Sequence, residues 1–165
     1  MRIRTVAVAA GLLLTACAGD DAAQACGPVE HPELQGGSHL IGDAEPPVPY
    51  SSTPGTSGWH ASGQPPTGVI DRGTPLTDTQ IVASLEAGQV VAAYDPDGLA
   101  ADQVDELERL ARDRFSGQLT VAPFTQDMGA PLVLNAWATR QPCSRVDTDV
   151  IASLIDRLGD TSTGH

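Results

Sequence analysis

The stretch 77-TDTQIVASLEAGQVVAAYDPDG-98 decides the fold. Thr77 and Gln80 have the spacing of a capping box, in which the Thr hydroxyl accepts a first-turn N–H and the Gln amide reaches back to the cap. Ile81, Val82 and Leu85 then fall on one apolar face of a short helix. Gly88 ends it, because glycine takes the left-handed backbone that closes a helix without a Cβ clash. QVVAAY (89–94) is continuously apolar, the mark of a buried strand, and DPDG (95–98) is a turn. A helix and a buried strand this close together predict helices packed on a sheet.

Downstream the pattern continues. Residues 100–114 give a helix with Val104, Leu107, Leu110 and Ala111 as its stripe. Its other face, with Glu106, Glu108, Arg109 and Arg112, reads as solvated and joined by local pairs. Gly117 stops the helix, and strands are predicted over about 118–123 and 131–139. Asp147 or Thr148 caps a last helix whose Val150, Ile151, Leu154, Ile155 and Leu158 face inward. Upstream, residues 26–75 are rich in Pro and Gly and have no period beyond a short strand near 67–71. The expected fold is α+β or α/β: a single mixed sheet of about three to five strands with three helices, preceded by a long wrapping region.

The chain of 165 residues suits one globular domain, over residues 26–158, with a disordered tail at 159–165. Its beginning reads differently. Arg2 and Arg4 precede an apolar run from Val6 to Leu14, too short to span a bilayer permanently. The run ends in Leu14-Thr15-Ala16-Cys17, which resembles the bacterial lipobox. Residues 1–16 are thus expected to be a lipoprotein signal, Cys17 the acylated first residue, and 17–25 a polar tether. That places the domain on the extracytoplasmic face of a bacterial membrane. The formal charge of −12 becomes −14 once Arg2 and Arg4 are removed, which excludes a phosphate-pairing basic patch and hence nucleic acid as a partner. Cys26 and Cys143 remain, and in an oxidising compartment an even pair reads as a disulfide. Closing a loop of roughly 100 residues contributes about 4–5 kcal/mol on the chain-entropy model. The alternative is a pair of free thiols for metal or redox chemistry.

VPYSSTPGTSGWH (48–60), IVASLEAGQVVAAYDP (81–96), VAPF (121–124) and LVLNAWATRQPC (132–143) occur in the order and spacing of a bacterial envelope family, domain of unknown function 3105. The chain resembles that family over about 26–158, most specifically in the Thr-Ser-Gly-x-His loop, with Trp137 and Cys143 in support. The resemblance supplies no activity. It implies a His-Asn-Leu-Glu-His-Gly motif where this chain has Ala83-Ser84-Leu85-Glu86-Ala87-Gly88. Two such imidazoles at i and i+4 would share a helix face and, with a loop histidine, suit zinc or copper. Here Glu86, His60 and His39 remain, and methyl groups replace the other two.

The 50–64 loop carries Ser57, Trp59 and His60 among residues that build no helix or strand. His60 can hydrogen-bond the loop backbone while Trp59 packs, or it can face a ligand. Glu86 can accept the Thr56–Gly58 backbone N–H groups from the end of its helix. Ser57, His60 and either Asp71 or Glu86 offer the residue types of a hydrolytic triad, without a nucleophile elbow. Met128 can pack or serve as a soft copper ligand. The expected function is a non-catalytic, lipid-anchored domain that binds a small ligand or an envelope protein through the 50–64 loop, with no cofactor. The alternatives are a copper or zinc protein or metal-dependent enzyme using His39, His60 and Glu86, and a serine hydrolase using Ser57 and His60.

Overall fold

A computed structural model describes residues 24–42 and 44–161. The expected signal 1–16, Cys17 and most of the 17–25 tether lie outside the described residues, as do the last residues, 162–165.

Helix α1 (Asp78–Glu86) forms as the sequence predicts. Thr77 Oγ1 accepts the Gln80 N–H at 3.4 Å and Gln80 Oε1 accepts the Thr77 N–H at 2.9 Å. At its far end Gly88 has φ +82°; its N–H bonds Leu85 O at 3.0 Å and Gln89 N–H bonds Ser84 O at 3.1 Å. These paired bonds satisfy carbonyls that the helix end would otherwise orphan. They also turn the chain directly into strand β3 (Val90–Tyr94).

Helix α2 (Ala101–Asp113) crosses over to β4 (Leu119–Pro123), which lies parallel to β3. Strands β5 (Leu132–Ala136) and β6 (Thr139–Cys143) complete a mixed four-stranded sheet in the order β4-β3-β5-β6, with both later pairings antiparallel. Helix α3 (Thr148–Thr161) follows, with Asp147 Oδ1 accepting the Val150 N–H at 3.1 Å. Alternate residues divide the sheet between two cores. Val90, Ala92, Leu119, Val121, Leu132 and Leu134 meet α2 and α3. Val91, Ala93, Ala122 and Val133 meet Ile81 and Leu85 of α1, with Phe124 and Met128. The expected helices on one mixed sheet are thus arranged as α1, sheet, and α2 with α3. Every residue of β3, β4 and β5 is buried, which is why these strands read as apolar runs without alternation.

Three boundaries differ from expectation. The predicted strand 131–139 is the first half of a hairpin that turns at Trp137 and Ala138. Two-residue hairpin loops favour Asn-Gly or Asp-Gly, and Trp-Ala gives no such signal. Ala138 takes the left-handed region at φ +50°, and its N–H donates to Thr56 O at 2.9 Å. Helix α3 runs through Gly159, where the disordered tail was expected; an internal Gly costs about 1 kcal/mol relative to Ala but does not forbid a helix. Ala25, assigned by composition to the tether, is buried, and its carbonyl accepts the Ser144 N–H at 2.8 Å.

The wrapping region guards the sheet's edges. Cys26 and Glu30 bridge to Cys143 and Arg140 on β6, and the Cys26–Cys143 disulfide is formed. On the other edge Val69 bridges to Val121 of β4, with Ile70 N–H on Val121 O and Val121 N–H on Gly68 O, both at 2.9 Å. The short strand expected near 67–71 is this single bridge. Covering both margins hides the unpaired N–H and C=O groups through which open sheets aggregate.

Candidate functional site: two histidines and a carboxylate

The wrapping region holds two short strands, β1 (His39–Leu40) and β2 (His60–Ala61), which pair in parallel with His39 opposite His60. Their rings meet edge to face, centroids 4.6 Å apart. Gly37 makes the pairing possible. A Cβ there would lie 2.2 Å from the Gly58 carbonyl carbon, so only glycine lets the two backbones cross. Helix α1 packs on β2 and brings its last residue, Glu86, to the same place.

The three side chains converge. Nε2 of His60 lies 2.7 Å and Nε2 of His39 3.8 Å from Oε2 of Glu86. One ligand atom from each residue lies within 4.8 Å of the others. Donors bound to one ion at about 2.0–2.2 Å stand about 3.3–3.6 Å apart in a tetrahedral shell, so small side-chain adjustments suffice. His60 is the fixed member, with its side chain 4% exposed; His39 and Glu86 are 61% and 47% exposed.

Chemistry assigns the His60 nitrogens. Nδ1 lies 2.9 Å from Gly58 O, and a carbonyl only accepts, so Nδ1 carries the hydrogen. Nε2 is then free to offer its lone pair, an orientation that a backbone carbonyl commonly enforces on metal-binding histidines. It is buried and makes no hydrogen bond, although Oε2 of Glu86 lies 2.7 Å away. A neutral imidazole lone pair facing a carboxylate is repulsive, and either a shared proton or a bound metal ion relieves that repulsion.

The other candidates are placed elsewhere. Ser57 is fully buried, and its Oγ accepts the Gln35 N–H at 3.0 Å. No hydrogen bond joins Ser57 to His60 among the described residues, and Asp71 accepts from Gly73 and Thr74 in its own turn. The groups of a serine triad are therefore not assembled. Glu86 faces the imidazoles rather than the Thr56–Gly58 N–H groups, since β2 places the ring between helix and loop. Trp59 is half-buried, its carbonyl accepting the Tyr50 hydroxyl. Burial and the nearby Asp78 carboxylate push the Tyr50 phenol up to about 12. Met128 packs in the core beneath α1.

A family model described as protein of unknown function, DUF3105, matches residues 43–164. The chain belongs to this family. Neither the curated proteins nor the solved structures contain a match. In this DUF3105 chain, Ala83 and Ala87 line the cleft that His39, His60 and Glu86 face. The imidazoles that the resemblance implies at these positions would enter that cleft; here the walls are methyl groups.

Residue reasoning missed two supports of the DUF3105 site. The β1–β2 pairing is too short for a periodic signal, and Gly37 looks like any loop glycine. The close Gly36-Gly37 pair two residues before His39 was the available hint.

Proposed function

We propose that this protein is a lipid-anchored domain on the extracytoplasmic face of a bacterial membrane that binds a divalent transition metal, copper or zinc, through His39, His60 and Glu86. One observation carries the metal reading: the buried, unpartnered Nε2 of His60, fixed by Gly58 O, faces a carboxylate and a second imidazole. Two imidazoles and one carboxylate suit copper and zinc, and affinity among divalent ions peaks at copper. The two alanines do not remove the site, because the three remaining donors come from separate elements. The anchor is supported by Arg2, the apolar run and Leu14-Thr15-Ala16-Cys17.

The test is metal content and affinity. The chain, purified without chelator, is expected to retain about one zinc or copper through dialysis, and His60→Ala to weaken binding at least ~100-fold. Metal-free protein that takes up neither ion in a competition titration sinks the reading. Labelling with radioactive palmitate, lost in Cys17→Ser, tests the anchor separately.

A further inference from the structure

We infer that the ion at His39, His60 and Glu86 keeps an open coordination face toward the adjoining cleft, and that this face takes a small monoanion of carboxylate or azide size. The inference rests on the metal reading above and adds what the ion itself binds.

The cleft has a volume of about 220 Å³. Besides the three donors it is lined by Ala61, Gly63, Pro65, Ala83 and Ala87, none of which has a side-chain donor or acceptor. The protein therefore offers three ligands and no fourth, whereas zinc and copper sites take four or more. A site closed by three protein groups and completed from outside is the arrangement of metals that bind exogenous molecules. His39 and Glu86 are both exposed, so the route from solvent is open. His60 is buried and held by Gly58 O, so the ion is fixed from the protein side.

Charge and size choose the ligand. A divalent ion with two neutral imidazoles and one carboxylate keeps a net charge of +1, which one monoanion neutralises. Azide, acetate or bicarbonate fits a cleft of this volume.

The test uses the full chain in detergent, loaded with one equivalent of Cu(II) and titrated with azide. A new ligand-to-metal absorption band and a shifted electron paramagnetic resonance spectrum are expected, reversed by acetate. His60→Ala serves as the blank for adventitious copper. Ala87→Leu, which places bulk at the cleft without touching a donor, should keep copper affinity and lower azide affinity about tenfold or more. Copper binding without any azide response overturns the open face and leaves the metal reading standing. Equal azide affinity in Ala87→Leu removes the ligand from the cleft. No specific copper or zinc binding by the wild type removes both the metal reading and this inference.

Discussion

Residues 24–76 and residues 77–161 bury different chemistry. In the second region the cores are aliphatic and aromatic, and polar groups mostly find partners along helices and strands. In the first, Thr56, Ser57 and His60 are buried while Leu34, Ile41 and Val48 lie exposed. The reason is hydrogen bonding. A wrapping chain with only two-residue strands leaves its backbone groups to be satisfied by side chains, and those side chains go inside with them. Ser57 shows this: it is fully buried, and its Oγ accepts the Gln35 N–H at 3.0 Å. Regular structure thus lets the sheet half satisfy its backbone through ladders and helices, whereas the wrapping half leans on buried side chains such as Ser57.

The largest way to break this contrast is to cut the wrap from the sheet. Cys26→Ser with Cys143→Ser opens a loop of sequence separation 117 and is expected to cost about 3–5 kcal/mol in chemical denaturation. A loss below about 1 kcal/mol would mean that the wrap is held by its hydrogen bonds alone.

Glu108 joins the two halves by charge. It accepts from Arg72 Nε at 2.6 Å and Arg112 Nη2 at 2.9 Å, and these bonds, Arg72 first, hold its carboxyl below the ordinary carboxylate range. Because the folded pKa is depressed, the stability it adds is present above the unfolded value and is lost as pH falls through the folded one. Glu108→Gln should cost about 1–3 kcal/mol near neutrality, and the difference from wild type should shrink as pH drops below about 4. A gap that stays constant with pH in urea titrations would show that packing, not charge, is lost.

Tyr50 tests the wrap by itself. Tyr50→Phe removes the hydroxyl donated to Trp59 O and should cost about 1 kcal/mol at neutral pH. With its folded pKa raised from 10 to about 12, the wild type loses stability as pH rises through that window. The Phe variant should lack this alkaline loss in thermal melts.

The smallest effect has the opposite sign. Ala138 is left-handed at φ +50°, so Ala138→Gly is expected to stabilise by about 0.5–1 kcal/mol. A destabilised glycine variant would mean that the Ala138 methyl contributes packing that outweighs its backbone strain.

Legibility in the sequence follows the same division. The capping box at Thr77, the Gly88 stop, the stripe of α2 and the apolar run of β3 each express a local rule, and each appears where the residues place it. The β5–β6 turn was hidden because Trp137 and Ala138 are not turn residues and their conformation is stabilised by Thr56, far away in sequence. Glu108 was read as part of a solvated helix face, yet it is buried, because its partner Arg72 comes from the wrap and no helical period can announce that. The residue types of the candidate site were visible. Their convergence depends on the crossing of Gly37 over Gly58, a contact of near-atomic tolerance that composition does not encode.

The sulfur bridge sets a route for mechanical load. A pull between residue 24 and helix α3 passes from Cys26 through the two sulfurs to Cys143 and on into the helix. Everything from Gly27 to Pro142 hangs outside that path. A domain tugged by its leading end would feel tension at a few covalent links, while the histidine pair and its crossing glycines remain slack.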